Sequence, residues 1–404
     1  MNLTQEQQDM LAGLHGRSAR KAMEILAALG TIYGAEGMVP VTSVQIAGVS
    51  YDNLGEAGLH FLTEMAEGGG RARVLTTLNP AGMDVENWQA MGIAPEFAAQ
   101  QTSVIEAFER MGVQTTCSCT PYLIGNLPAF GEAIAWAESS AVCYANSILG
   151  ARTNREGGPS ALAAALTGFT PAYGLHLDEN RRPTVTVRVE ANVAGTDGFG
   201  ALGRAIGERL ESANVGKVPY ITGVEAHTLE ERKAFCASIA TYGGVALFHM
   251  PGTTLEADRY APPDQTITIE QAELDRAYAA MTDAEPEEID LVSLGCPHLT
   301  IEEIARIAQL LDGKRVTKTF WITAARPVKQ MSDRLGYTKT IEASGAIFAT
   351  DTCCVVAPIR GRFKALATDS AKACYYASSK NKFKTRVRPF DEVVAIALQG
   401  EKPL

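Results

Sequence analysis

The chain has 404 residues, 46% of them apolar and 20% charged, which at roughly 150 residues per domain means two or three domains with enough interior for a sizeable core. The 37 Gly and 18 Pro are spread along the chain, so a disordered or low-complexity protein is excluded. Lys plus Arg number 36 against 46 Asp plus Glu, a formal charge of −10, and no basic stretch marks a nucleic-acid footprint.

The N-terminus, MNLTQEQQDMLAGLHG, carries acids and amides where a signal peptide would have a basic start and an apolar stretch, so the expected location is cytoplasmic. The longest apolar runs, such as Met23 to Tyr33, fall short of the roughly 20 residues that cross a bilayer, and no membrane span or membrane partner is expected. Thr4 followed by Gln7 has the form of a capping box, and Met10, Leu11, Leu14, Ala22, Ile25, Leu26 and Leu29 continue at helical spacing as far as Gly30. Val39 to Val49 is β-branched and runs into the small-residue loop Ser50-Tyr51-Asp52-Asn53. Strand-like runs recur at Arg73 to Leu78, Thr184 to Val193, Val218 to Val224, Val245 to Met250, Ile289 to Leu294, Lys318 to Thr323 and Ala346 to Thr350. Between them Val104 to Met111, Phe199 to Ala213, Leu229 to Tyr242 and Ile301 to Leu311 have helical periodicity. This alternation predicts an α/β fold with mainly parallel sheets built from crossover units, with ligands expected beyond the carboxyl ends of strands. Asp258 to Asp264 and Thr282 to Glu288, rich in Pro and acids, are expected as exposed loops.

One motif resembles a dinucleotide fingerprint. Gly198-Phe-Gly200-Ala-Leu-Gly203 has the G-x-G-x-x-G form, and Glu225 stands where a ribose-binding acid would. Ala194 to Asp197 separates the glycines from the preceding strand, however, and the alternative is that they let a helix pack closely on its neighbour. A nicotinamide-dependent oxidoreductase is therefore one reading to test.

The eight cysteines are too few for a secreted disulfide scaffold. Cys143, Cys236 and Cys374 sit in helical or apolar runs and read as core residues. The rest lie beside Pro, Gly or small polar residues in TTCSCTPY (Thr115 to Tyr122), LGCPH (Leu294 to His298) and DTCCV (Asp351 to Val355). Turns of this kind aim a sulfur while nearby amides stabilise its charge. Three thiolates from remote segments suit two kinds of site: a structural zinc closed by a fourth ligand such as His298, or a metal group with an open position for substrate.

The segments Gly48 to Leu62 (GVSYDNLGEAGLHFL), Thr116 to Leu123 (TCSCTPYL), Glu138 to Gly168 (with ANSILGARTNREGGP), Leu291 to His298 (LVSLGCPH) and Asp351 to Pro358 (DTCCVVAP) together resemble the large subunit of the aconitase X family. The resemblance spans nearly the whole chain. It implies a hydro-lyase of aconitase-like αβα layers around an iron–sulfur cluster, 4Fe-4S or 2Fe-2S, with a swivel domain that closes over it. It also implies α/β regions at 1–160, 161–288 and 289–404, the first carrying one ligand cysteine and the last carrying two. The chain ends at GEKPL (Gly400 to Leu404) with nothing resembling a swivel module, so a separate small subunit is the expected partner. Two activities belong to the family: dehydration of cis-3-hydroxy-L-proline to Δ1-pyrroline-2-carboxylate, and dehydration of mevalonate 5-phosphate. The first is the expected reaction and the second the alternative.

By motif, the resemblance makes Cys119, Cys296 and Cys353 the cluster ligands, with Cys117 and Cys354 as the neighbours that could replace two of them. Dehydration needs a base for the carbon-bound proton and an acid or Lewis acid for the hydroxyl. A substrate carboxylate suits Arg152 and Arg155, with Asn154 orienting it, against the alternative of salt bridges to Glu138 or Glu156. Ser50, Tyr51 and Asn53 follow a strand end and are further substrate-binding candidates, as are His298 and Lys372. The base is unassigned on this chain; the resemblance places it on the swivel partner.

Overall fold

The computed structural model describes residues 1–398; the end of the expected third region and the terminal GEKPL lie outside the described residues. Three parallel sheets organise the chain. In the first, Ser43–Ile46 lies between Leu75–Leu78 and Ala135–Trp136. In the second, Val185–Val189 lies between Pro219–Thr222 and Thr266–Ile269. The third has five strands in the order Ile347–Thr350, Thr319–Ala324, Leu291–Leu299, Ala365–Thr368 and Lys384–Val387. Helices follow most strands, which is the crossover pattern that parallel pairing requires. Among the described residues no helix is long and apolar enough to cross a membrane.

Several expected elements differ in detail. The Thr4–Gln7 capping box forms, but the helix it opens is Gln5–Leu11. Gly13 and Gly16, both at positive φ, break the chain before a second helix, Arg17–Ile32. Val39 to Val49 holds two strands: Met38–Pro40 pairs antiparallel with Phe169–Pro171 in a small ribbon, and Ser43–Ile46 enters the main sheet. Val245 to Met250 is no strand; it touches Pro219–Thr222 through a single bridge between Tyr220 and His249. Its apolar side chains are buried all the same, so burial and not a ladder explains the run. The pattern missed Ala365–Thr368 and Lys384–Val387, because KALAT and KTRV are short and Ala and Lys are poor strand formers.

The glycines of the G-x-G-x-x-G motif lie inside the helix Gly195–Ser212, past its first turn, where amides are committed to the helix. They serve close packing. A Cβ on Gly203 would stand 2.7 Å from Ser238 Cβ, and one on Gly207 would stand 2.6 Å from the Gly243 nitrogen, both on or just after the helix Leu229–Tyr242. Gly200 faces Ala371 in the same way. Glu225 is exposed and distant in role, standing over Gly252. The nicotinamide reading therefore loses its binding loop.

Candidate active site

All eight cysteines are free. Cys143, Cys236 and Cys374 are buried together in the hydrophobic cluster around the second sheet, as the core reading expects. A cavity of about 190 Å³ lies where the first and third sheets meet, and Cys119, Cys296 and Cys353 all line it. Its walls come from the carboxyl ends of strands. Ala47, Asn79-Pro80 and Ala137-Glu138 follow the three strands of the first sheet, while Cys353 and Lys372 follow two strands of the third. This is the position at which open parallel sheets place ligands.

Each thiol is aimed by a local device. Cys296 sits where the strand Leu291–Leu299 slips register against Thr319–Ala324. Gly295 there has φ 117, and a Cβ on it would be 2.2 Å from the Thr323 oxygen; the bulge turns the strand and re-aims its next side chain. Cys119 lies in the loop after the helix Pro95–Arg110 and accepts a hydrogen bond of 3.3 Å from the His298 amide. Cys353 and Cys354 lie in a turn, so the alternation of a strand does not separate them. Cys353 faces the cavity, whereas Cys354 is turned toward Ser293 and Cys374. Cys117, at φ 42, is buried in the hydrophobic cluster of the first sheet and does not line the cavity.

The Cys296 thiol donates to Cys353; with the Val355 and Val356 amides this pulls Cys353 down to about 7 against its burial. Burial, Glu138 and Cys353 push Cys119 up to about 12. Thiolate ligands must lose their protons when metal binds, and sulfur-directed amides favour the charged form. Three cavity-facing thiols, two of them served by such amides, are a donor set that could hold an iron–sulfur group. Among the described residues no three His, Cys, Asp or Glu side chains converge on one metal position, so the thiols border a space and not a point. His298 is fully buried with both ring nitrogens engaged, by Ser118 and by Thr352, and does not line the cavity. The fourth zinc ligand is thus spent elsewhere.

The cavity also holds Lys372, an expected site residue, paired with Glu138, whose place in the site motif reading missed. Glu138 caps the helix Ser139–Ser147, accepting from the Ala141 amide at 2.7 Å and from Ser140 Oγ at 2.6 Å. Lys372, on the short helix Ala371–Tyr376, forms a buried ion pair with it and lies 3.4 Å from the hydroxyls of Ser139 and Ser140. Burial alone would raise the Glu138 pKa, but Lys372, Ser140 and the Ala141 amide reverse this and leave it lowered. Burial would lower Lys372, yet Glu138 more than offsets that and its pKa is raised. Both groups are charged. The legible signal for Glu138 was an acid and two serines between a strand end and a helix start.

The other expected substrate residues divide. Arg155, exposed, and Asn53 line the cavity, with Lys380 and Tyr376 beside them. Ser50 is fully buried and donates to the Val356 carbonyl at 3.0 Å, bracing the cavity wall from behind. The Tyr51 amide donates to Gln101 and its ring meets Phe97 edge-on. Arg152 is turned away, paired with Asp178 and donating to the His176 carbonyl at 3.2 Å. Asn154 joins the same segment, donating to Tyr173 and accepting from the Leu175 amide. Neither Arg152 nor Asn154 lines the cavity; loop 150–155 alternates direction and only Arg155 faces inward. Glu156 takes neither arginine; it accepts from Ser160 and Thr170.

An α/β chain with parallel sheets meeting at a thiol-lined, ion-paired cavity has the layout of the aconitase-like hydro-lyases. Family models described as the first, second and third domains of aconitase X match residues 1–179, 183–279 and 289–399, and the chain belongs to the aconitase X family of hydro-lyases. It is 45% identical over 379 residues to the phosphomevalonate dehydratase large subunit of Methanothermobacter thermautotrophicus, covering 93% of each chain. To the cis-3-hydroxy-L-proline dehydratase of Pseudomonas aeruginosa it is 34% identical, over 98% of this chain and 70% of that one. The crystal structure of aconitase X from Thermococcus kodakaraensis, holo-form, superposes with a TM-score of 0.91 at 43% identity, covering 98% of this chain and 100% of that one.

Proposed function

We propose that this chain is the large subunit of a phosphomevalonate dehydratase and works with a separate small subunit. The observation that carries this reading is the cavity itself: three thiols, the Glu138–Lys372 pair and Arg155 around one opening. Between the family's two reactions, similarity favours phosphomevalonate, at 45% identity against 34%, and with near-equal chain lengths. This replaces cis-3-hydroxy-L-proline as the first choice of substrate.

Cys119, Cys296 and Cys353 would hold an iron–sulfur cluster. When bound, such a cluster supplies a Lewis acid for a substrate hydroxyl, otherwise a poor leaving group. Phosphomevalonate carries a carboxylate, a tertiary hydroxyl on the carbon β to it, and a phosphate. Arg155 has no ion-pair partner among the described residues and offers a planar, always-charged fork for one of the two anionic groups. Lys372 presents a protonated amine to the reacting end, with Glu138 holding it in place and Ser139 and Ser140 adding hydroxyls. Water must be kept from this buried pair for its field to act on substrate. Glu138 is the one carboxylate lining the cavity among the described residues, and its lowered pKa and its partner make it a poor base. Abstraction of the α-proton is therefore assigned to the small subunit.

The test is turnover. The chain, purified without oxygen together with its small subunit and reconstituted with iron and sulfide, should dehydrate mevalonate 5-phosphate and leave cis-3-hydroxy-L-proline unchanged. Turnover of hydroxyproline alone would reverse the substrate assignment, and a colourless protein inert to both would remove the hydro-lyase mechanism.

A further inference from the structure

His298 follows Cys296 by two residues in the strand Leu291–Leu299 and is fully buried. Its Nε2 lies 3.0 Å from the Thr352 carbonyl. A carbonyl can only accept, so Nε2 carries the proton. In a neutral imidazole Nδ1 is then an acceptor, and its partner, 3.1 Å away, is Ser118 Oγ. Ser118 has one hydroxyl proton and spends it there. The Thr120 hydroxyl at 3.1 Å and the Thr120 amide at 3.2 Å must therefore both donate to Ser118. Every proton in the series Thr120, Ser118, His298, Thr352 has a fixed direction.

The ends of this series matter. Ser118 immediately precedes Cys119, Thr352 immediately precedes Cys353, and His298 stands two places after Cys296. The His298 amide adds a fourth link, donating to Cys119 Sγ. Three segments remote in sequence, each bearing one cavity thiol, thus meet at a single imidazole that does not itself line the cavity.

We infer that His298 is a positioning residue: through Ser118 and Thr352 it fixes the mutual placement of Cys119, Cys296 and Cys353, and thereby the chain's hold on the iron–sulfur group. The inference rests on the iron–sulfur reading above. Outer partners of metal ligands commonly govern affinity by about 10–100-fold. Among the expected substrate contacts, His298 accordingly moves to the supporting frame.

The experiment uses the full chain reconstituted with ferrous iron and sulfide, as wild type, Ser118→Ala, His298→Gln and His298→Ala. Four quantities are read: iron per chain, visible absorbance, its rate of bleaching in air, and the thermal midpoint of the iron-free chain. Ser118→Ala removes one hydroxyl and should leave the midpoint nearly unchanged, while iron is held about tenfold more weakly and the colour bleaches correspondingly faster. His298→Ala should lose more. His298→Gln, whose amide can donate to Thr352 and accept from Ser118, should recover part of the loss. If Ser118→Ala and His298→Gln load iron fully, with the wild-type spectrum and lifetime, the inference is overturned while the iron–sulfur reading stands. If the wild type itself takes up no iron that depends on Cys296, both fall together.

Discussion

Lys372 and Glu138 stand 234 positions apart in sequence and form a buried ion pair on the cavity floor. Breaking such a pair costs about 3–5 kcal/mol because the surviving charge is left uncompensated. Lys372→Met should therefore lower unfolding stability by about that much and abolish turnover. Adding Glu138→Gln should restore most of the stability and none of the activity. Urea unfolding midpoints beside turnover rates separate the two effects; a double variant as unstable as the single one would contradict the pairing.

The cysteines give a sharper contrast. Cys119→Ser, Cys296→Ser and Cys353→Ser should each strip iron and visible absorbance from the reconstituted chain. Cys117→Ala and Cys354→Ala should keep both, since those thiols point into the protein interior. Full iron in Cys119→Ser with loss in Cys117→Ala would exchange their roles.

Gly203 tests the nucleotide motif. Its Cβ position lies 2.8 Å from the Ile239 nitrogen, a backbone atom that cannot swing aside, so Gly203→Ala should cost about 1–3 kcal/mol of stability by overpacking. The wild type should show no fluorescence change with NADH, because the glycine amides sit within the helix. A thermal melt and an NADH titration check the two halves.

His176 is buried with neither ring nitrogen hydrogen-bonded. Burial first, then the nearby Arg181 and Arg152, push its pKa from 6.5 down to about 4. The unfolded chain takes up a proton near pH 6.5 that the folded chain refuses until about pH 4, so stability present above pH 6.5 is lost as pH falls through that window. The loss amounts to about 3 kcal/mol. His176→Gln should flatten that part of the curve. Parallel pH profiles for variant and wild type, measured on the iron-free chain, would show the idea wrong.

The division between strands and helices was legible because hydrophobic period is a local property, and it failed where strands were short and Ala- or Lys-rich, as in Ala365–Thr368 and Lys384–Val387. The three cysteine segments were legible because turn residues announce an aimed thiol. Which thiol of each pair faces the cavity depends on a turn at Cys353 and a left-handed residue at Cys117, neither of which spacing alone reveals.

By itself, then, the sequence determined the α/β plan and the family, and singled out the three cysteine segments. The tertiary structure decided the partners. Arg152 turned to Asp178, Arg155 to the cavity, His298 to two loops, the glycines of the nucleotide-like motif to a neighbouring helix, and Lys372 to Glu138. The physical reason is range: periodicity and turn chemistry act over a few residues, whereas burial and charge pairing are settled only when segments hundreds of residues apart are packed against each other.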